Sequence, residues 1–397
     1  MATPSSLYRN AIDLNRYSNS VAKGIVSAYN DIIVDAVAQL RTIDELAAPV
    51  KAARLRAILA QLKESLAAWS NGSVQNLVGE LQGLALLQSQ FVTDQLARAL
   101  PVGARNIVNT VEISPQFAQS VVTTDPTRIN VVTLSDDLIA AVQGAPQTYS
   151  LTAAKGATIT LPNGEVVIKA FNGIVESQAE LFSQVVRNGL LTGETTQEIA
   201  KRLTGKLQIG QAGSVRQIAE AGGQATIAAN NQVITLVRTS INQVANAASQ
   251  QVYEANQDIT KKYRYTATLD MRTSPICRAL DGQEFPYGKG PTPPQHFNCR
   301  STTVPVIDYD ELGFTPPPPG RRASMDGPVP ANTTYGQWLK EQSAQVKAEV
   351  LGKEKVRYFD LLSEKYGPQK ALAKLVSTDG SELTLDQLRK RYGASDS

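Results

Sequence analysis

The sequence predicts an α+β protein that is mostly helical, with a small antiparallel β section and a loop-rich core containing cysteine and histidine. Three observations predict this fold class. Apolar residues recur every three or four positions over the first hundred residues, as they do in helices that bury one face. A strand-like alternation appears near residue 265. All the cysteine and histidine of the chain then follows within a short segment.

Composition limits the classes of protein that this chain can be. It has 397 residues, of which 42% are hydrophobic and 19% are charged. This profile is globular and excludes a disordered, collagen-like or coiled-coil chain, and the length suits two to three domains. A net charge of +3 is too small to predict nucleic-acid binding by itself. We expect no transmembrane helix and no secretory signal, because no long apolar stretch and no basic, apolar leader occur.

Residues 1–101 are predicted to form a helical N-terminal region. The residues at helical spacing are Val21, Ile25, Ala28, Ile32 and Ala36, followed by Leu55, Leu59, Leu62, Leu66 and Trp69. Asn71, Gly72 and Ser73 predict a break, after which Ser73 caps a further helix. The pattern indicates a helical hairpin or a three-helix unit. Core packing explains the apolar faces, and a partner-binding surface is the alternative.

Residues 102–173 are predicted to be a β-rich section. Helical periodicity fades there, and threonine, valine and isoleucine dominate. Residues 158–161 and 166–168 are typical of strands, and Asn163-Gly164 between them is typical of a tight turn. The sequence therefore predicts a β-hairpin at this point.

Residues 174–308 are predicted to be the core that carries the function, beginning with helices. Thr195 and Glu198 have the spacing of a capping box that opens a short helix. The next helix, about residues 224–256, has a narrow apolar stripe, and Arg238 is the only charge along most of its length. Such a helix should be packed on several sides. Arg238 is either buried against an anion, which makes it a possible partner contact, or exposed at a domain surface.

The last two segments are predicted to be a linker and a tail. Residues 309–330 are expected to be a Pro-rich linker, because the run Pro316–Pro319 is typical of a stiff spacer. Residues 331–397 are expected to be a small, separate helical tail. Its capping boxes pair Thr334 with Gln337 and Thr384 with Gln387. Trp338, in the first tail helix, is a possible partner contact.

The scarce residues mark the chemistry of the chain. Alternation over residues 263–269 predicts a strand that ends at Asp270. The chain has two cysteines and one histidine, and Cys277, His296 and Cys299 all follow this strand. We predict that two sulfur atoms and one imidazole converge there.

Three interpretations of this convergence stay open. The first is a structural zinc site, in which Asp270 supplies the fourth ligand. The second is packing and hydrogen bonding without a metal. The third is a Cys277–Cys299 disulfide, which a reducing cytosol disfavours. Catalysis is less favoured, because the cysteine–histidine loop is proline-rich and no phosphate-binding loop or serine-hydrolase motif is present.

The same stretch carries a family signature. It has a strand ending in Asp-x-Arg-Thr, then Cys, Leu-Asp-Gly-x-x-Phe with Asp281-Gly282 as a predicted hairpin turn, and Pro-Pro-x-His-x-Asn-Cys-Arg. These residues are Asp270, Arg272, Thr273, Cys277, Leu280, Asp281, Gly282, Phe285, Pro293, Pro294, His296, Asn298, Cys299 and Arg300. The stretch resembles the tailed-phage head-morphogenesis family, the Mu F-like minor head proteins. The resemblance covers about residues 170–308.

The resemblance implies a structural minor capsid protein rather than an enzyme. Such a protein is a virion component at the portal vertex and assists head assembly, DNA packaging or DNA ejection. The implied partners are the portal protein and the major capsid or scaffolding protein, with phage DNA as a further candidate. The resemblance also implies assembly in the host cytoplasm, no membrane during assembly and several copies per virion. Arg272, Asp281, Gly282, Asn298 and Arg300 are the expected structural motif. A Cys/His-dependent hydrolase or metal-dependent nuclease acting during head maturation is the alternative.

Overall fold

A computed structural model describes residues 5–43, 48–118, 121, 129–132, 153–159, 167–191, 194–204, 224–377 and 380–393. Helices dominate these residues, and the strands form small antiparallel sheets. The predicted mostly helical α+β class is therefore confirmed. The predicted turn at Asn163-Gly164 lies outside the described residues.

The N-terminal region is an antiparallel hairpin of two long helices, α1 (Ser5–Arg41) and α2 (Ala48–Ala99). The side chain of Asn10, early in α1, donates a hydrogen bond to that of Gln88, late in α2, at 3.0 Å. The predicted break at residues 71–73 is wrong, since α2 runs through it. The reason is tertiary packing: Trp69 is buried and donates from Nε1 to the Ile25 carbonyl at 3.1 Å, which holds this stretch against α1.

The section after α2 differs from the prediction. A short 3-10 helix spans Val102–Ile107, and strands β1 (Ile129–Val132) and β2 (Ala153–Ile159) pair antiparallel. The predicted second strand at residues 166–168 is wrong in its last two residues, because helix α3 (Val167–Leu191) begins there. Its residues Phe171, Ile174, Val175, Phe182 and Val186 are buried at helical spacing. This burial on one face overrides the strand propensity of the valine and isoleucine at its start.

Two further helices complete the helical layer, α4 (Thr196–Thr204) and α5 (Gln224–Glu254). The capping box before α4 is present, because the Thr195 amide donates to Glu198 at 2.8 Å and the Glu198 amide donates to Thr195 Oγ1 at 3.3 Å. Helix α5 packs against α1, α2, α3 and α4. It is therefore surrounded, as its uncharged faces predicted.

A three-stranded antiparallel sheet carries the signature. Strand β3 (Thr260–Thr266) lies between β4 (Glu284–Pro286) and β5 (Thr302–Ile307). Helix α6 (Pro275–Leu280) connects β3 to β4. The tight turn predicted at Asp281-Gly282 is present, with Gly282 at φ 79°. It follows a helix rather than a strand, so it is not the turn of a simple hairpin.

The predicted linker is part of the fold. Strands β6 (Arg321–Ser324) and β7 (Gly327–Pro330) form an antiparallel hairpin. Leu269, three residues beyond β3, forms a β-bridge with Ser324, which joins this hairpin to the segment after β3. The strand predicted over residues 263–269 is therefore wrong in its last three residues. The expectation of a spacer over residues 309–330 is thus wrong for its second half, because Arg322 is buried against the signature core.

The tail forms five short helices, α7 (Tyr335–Lys340), α8 (Ala344–Leu351), α9 (Lys353–Tyr366), α10 (Pro368–Lys374) and α11 (Leu385–Tyr392). Their apolar core includes Leu269 of the signature segment. Arg278 of α6 donates to the Val350 carbonyl at 2.9 Å and pairs with Glu382 at 3.1 Å. The tail is therefore docked on the signature core rather than separate from it. Trp338 is 3% exposed, so its indole packs in this core instead of facing a partner.

Candidate functional site

Cys277, His296 and Cys299 converge at one point, as predicted, and are called here the cysteine–histidine cluster. The Cys277 sulfur lies 3.4 Å from His296 Nε2 and 3.7 Å from the Cys299 sulfur. One ligand atom from each residue lies within 4.8 Å of the other two. Both cysteines are reduced in this structure and are 1% and 3% exposed. The cluster is thus a compact set of two buried sulfur donors and one partly buried nitrogen donor.

The first cysteine is positioned by the start of α6. Ser274 caps this helix by accepting from the Cys277 amide at 3.4 Å, and Pro275 occupies its first turn. Serine at a helix N-cap followed by proline at the first helical position is a favourable combination. The Tyr265 hydroxyl of β3 lies 3.1 Å from the Cys277 sulfur. Helix and strand together therefore fix the position of this sulfur.

The other two donors lie on a loop that α5 holds in place. Asn298 has φ 58°, a left-handed conformation that asparagine tolerates better than most residues. Its amide donates to Thr239 Oγ1 at 3.2 Å, and its side chain donates to Thr235 Oγ1 at 3.1 Å. The Cys299 amide donates to the His296 carbonyl at 3.2 Å and closes the turn. This turn brings the imidazole and the second sulfur to the same side.

The protonation of the cluster is uneven. Burial raises the pKa of the Cys277 thiol, and its hydrogen bond with Cys299 raises that pKa further. Burial also opposes ionisation of Cys299, but the hydrogen bond from Cys277 and the charge of His296 outweigh it and hold the pKa of Cys299 well below its usual range. Burial lowers the pKa of His296, whereas the neighbouring Cys299 thiolate raises it by more. Cys299 is thus the more acidic of the two thiols, and its neighbourhood makes His296 more basic.

Asp270 lies outside the cluster and is not positioned as a fourth ligand. Its Oδ1 accepts from Arg300 at 2.8 Å, and its Oδ2 accepts from the other Nη of Arg300 at 2.5 Å. The Arg272 amide also donates to Asp270 Oδ1 at 3.0 Å. Burial opposes ionisation of Asp270, but its hydrogen bonds and ion pair with Arg300 outweigh burial and lower its pKa. The predicted zinc role of Asp270 is therefore replaced by an ion pair that ties the segment after β3 to the loop of Cys299.

Asp281 is completely buried, and its carboxylate connects several segments of the signature core. Its Oδ1 accepts from the Ala267 amide at 2.7 Å, and its Oδ2 accepts from the Tyr335 amide at 2.6 Å. Arg322 donates to the same two oxygens at 3.0 and 3.1 Å. One carboxylate therefore joins β3, the β6–β7 hairpin and the tail. At Gly282, a Cβ would lie only 2.8 Å from Thr334 Cγ2, which leaves no room for a larger residue. The positive φ of this residue also favours glycine.

Three arginines lie near one another beside the cluster. Arg238 is half-buried on α5 and donates to Asn19 Oδ1 of α1 at 2.9 and 2.7 Å. Burial lowers the pKa of Arg238, and the charges of Arg272 and Arg300 lower it further. Among the described residues, no carboxylate forms an ion pair with Arg238. Arg272 is 76% exposed and reaches Asp270 only at 3.9 Å. Positive charge thus exceeds negative charge at this position.

Sequence reasoning missed several residues that build the site. Arg322 was hidden in the expected linker, although Asp326-Gly327 between two short extended runs is a hairpin signal that could have revealed it. Thr235, whose hydroxyl accepts from the Asn298 side chain, carried no signal, because threonine in a helix has no fixed role. Tyr265 was predicted in the strand, but its contact with the Cys277 sulfur depends on how α6 folds back.

Comparison with known proteins identifies the segment that contains this site. The model of the family described as "Phage Mu protein F like protein" matches residues 180–304. Residues 180–304, called here the Mu F-like segment, are similar to this family. The match confirms the resemblance to phage head-morphogenesis proteins that the signature predicted. It runs from within α3 to β5 and contains the cysteine–histidine cluster, Asp270, Asp281 and Arg300.

One curated relative and the solved structures complete the comparison. An uncharacterized protein of Haemophilus influenzae (strain ATCC 51907 / DSM 11121 / KW20 / Rd) is 40% identical over 55 residues. These residues are 13% of this chain and 12% of that protein, so the likeness is local. No solved structure matches the chain. The Mu F-like segment is therefore the part of the chain whose role can be inferred from a described family.

Proposed function

We propose that this chain is a structural minor head protein of a tailed phage, located at the portal vertex and required for head assembly, DNA packaging or ejection. The observation that carries the proposal is the Mu F-like match over residues 180–304. That segment holds the complete signature, and its geometry explains why those residue types are needed there. A protein that is incorporated into a phage head needs a stable fold, and the hydrogen bonds and ion pairs of the signature residues stabilise it.

The signature side chains mostly bind their own chain, which supports a structural role. Asp281 joins three segments, Asp270 holds Arg300, and Asn298 anchors the loop to α5. Cys277 and Cys299 are buried, so a substrate could not reach either sulfur without a local opening. A hydrolase or nuclease at the cluster would need an accessible nucleophile or metal. The geometry therefore favours a structural role for the cluster over a catalytic one.

Partner contact is best supported at the arginines. Arg272 and Arg300 line a cavity of about 240 Å³ that is bounded on its other side by α1 residues such as Tyr8 and Asn15. The excess of guanidinium groups suits an acidic side chain of another head protein, because arginine and carboxylate form charge-assisted hydrogen bonds. We propose the portal, major capsid or scaffolding protein as its source, with phage DNA as a further partner. None of the described helices is apolar over enough of its length to cross a membrane.

A genetic experiment tests the proposed function. A stop codon is placed in the gene within the phage genome that encodes the chain, and the lysate is examined for heads by electron microscopy. The proposal predicts few filled heads, and restoration when the intact chain is supplied from a plasmid. A normal yield of infectious, filled particles without the chain would overturn it.

The matched variants sharpen this test. A plasmid copy with Arg272→Ala should fold normally yet restore filled heads poorly, because it removes an exposed cation without breaking the core. Arg389→Ala, at an exposed arginine of α11, serves as the control and should restore heads fully.

A further inference from the structure

Two of the three donor–donor distances in the cysteine–histidine cluster match the edges of a metal tetrahedron, and the third is no longer than 4.8 Å. Zinc bonds to sulfur at about 2.3 Å and to histidine nitrogen at about 2.0 Å, with angles near about 109°. Those values place two sulfur ligands about 3.8 Å apart and a sulfur and a nitrogen about 3.5 Å apart. The observed separations are 3.7 Å between the sulfurs and 3.4 Å between Cys277 Sγ and His296 Nε2. The donors are thus spaced for one ion between them.

The imidazole is also oriented as a metal ligand requires. His296 Nδ1 lies 2.8 Å from the Phe297 carbonyl oxygen, to which it can donate. A histidine whose Nδ1–H donates to a carbonyl presents the lone pair of Nε2, and metal-bound histidines commonly have such a partner. Here Nε2 is the atom that faces the Cys277 sulfur. The backbone therefore selects the tautomer that binds a cation.

The donor set points to the class of metal. Two thiolates and one imidazole suit zinc, whereas magnesium and calcium take oxygen ligands. The Tyr265 hydroxyl, 3.1 Å from the Cys277 sulfur, places an oxygen at the border of the cluster. The carboxylate of Asp270 is occupied by Arg300. An oxygen donor other than Asp270 would complete the four ligands.

We infer that Cys277, His296 and Cys299 bind one zinc ion, with a water molecule or the Tyr265 hydroxyl in the fourth position. Each thiol loses its proton on binding, so both sulfurs are thiolates in the complex. The ion ties α6 to the loop that α5 holds, which are otherwise joined by hydrogen bonds. This inference concerns the fold of the segment and stands apart from the proposed function. A zinc-free chain could still be a head protein, and a zinc protein could act elsewhere.

Metal analysis of the purified full-length chain tests the inference. We expect about one zinc per chain by elemental analysis after extensive dialysis. Cobalt(II) exchanged into the protein should show thiolate-to-cobalt charge-transfer bands and the strong visible bands of tetrahedral coordination. Absence of zinc, combined with no cobalt–thiolate band on direct titration of the freshly reduced protein, would overturn the inference without requiring any variant.

Variants identify the ligands. Cys299→Ser and His296→Gln should each reduce zinc affinity at least about tenfold. Asp270→Asn is the matched control and should keep the zinc and the cobalt spectrum. If a ligand variant fails to fold, X-ray absorption of the intact protein decides: two sulfurs and two lighter atoms around zinc support the site, and any other count of sulfurs overturns it. Retention of zinc at the wild-type level by folded Cys299→Ser would also overturn it.

Discussion

Asp281 and Arg322 form a buried, two-pronged ion pair with oxygen–nitrogen distances of 3.0 and 3.1 Å. The two residues are 41 positions apart, and the pair connects the signature turn to a segment that the sequence marks as a spacer. Arg322 also donates to the carbonyls of Ala267 and Thr333. The buried charge is therefore satisfied on all sides, as burial of an ion requires.

Removing one partner of this pair should be costly. Asp281→Asn leaves the Arg322 guanidinium buried without a counter-charge, so we expect the free energy of unfolding to fall by about 3–5 kcal/mol. Urea unfolding followed by circular dichroism measures the change. Asp386→Asn, at an exposed pair within α11, is the control and should change stability by less than about 0.5 kcal/mol. Equal effects of the two substitutions would contradict the claim that the buried Asp281–Arg322 pair stabilises the fold.

Two glycine substitutions should act in opposite directions. Gly72 lies inside continuous α2, with no atom within 4 Å of an added Cβ, so Gly72→Ala should stabilise by about 0.5–1 kcal/mol. Gly282 has φ 79° and little room beside Thr334, so Gly282→Ala should destabilise by more than about 1 kcal/mol. Thermal unfolding of both variants measures the signs. Destabilisation by Gly72→Ala would indicate that α2 breaks there after all.

The Asp270–Arg300 pair should contribute a pH-dependent share of stability. Because the pKa of Asp270 is lowered in the folded state, its contribution is present above its unfolded value of about 3.9. It is lost as pH falls through the folded value. The difference in melting temperature between wild type and Asp270→Asn should thus be constant from about pH 7 to 5 and shrink toward pH 3. A difference that does not vary with pH would show that the charge of Asp270 is unimportant.

Arg300 and Arg272 should contribute differently to the free energy of unfolding. Arg300→Ala removes both hydrogen bonds to Asp270 and should lower the free energy of unfolding by about 2 kcal/mol. Arg272→Ala removes an exposed side chain and should cost less than about 0.5 kcal/mol. Chemical unfolding of the two variants under the same conditions compares them. A large loss for Arg272→Ala would mean that it holds the fold rather than remaining available to a partner.

Local patterns predicted the helical regions, a strand before Asp270 and the convergence of the three cysteine–histidine donors, although that strand ends at Thr266 rather than at Asp270. Helical periodicity and the capping box at Thr195 and Glu198 are properties of neighbouring residues, so they can be seen in sequence. The cluster could be predicted because its residues are scarce and close together along the chain.

The remaining features depend on contacts between distant residues. Burial of Trp69 carries α2 through an Asn-Gly-Ser sequence that alone favours a break. The pairing of Asp270 with Arg300 rather than with a metal follows from how the loop folds back onto β3. Trp338 is buried in the apolar core that the tail helices form together with Leu269. No local pattern encodes these long-range partners.

Mass spectrometry of purified phage particles tests the central claim most directly, namely that this chain is a structural part of a phage head. The genome that encodes the chain is induced, and mature particles and immature heads are purified by density and size. We predict peptides from the Mu F-like segment and from the tail in the particles, at a constant ratio to the portal protein across preparations. Absence of the chain from both kinds of particle, while it is abundant in the same lysate, would contradict the account.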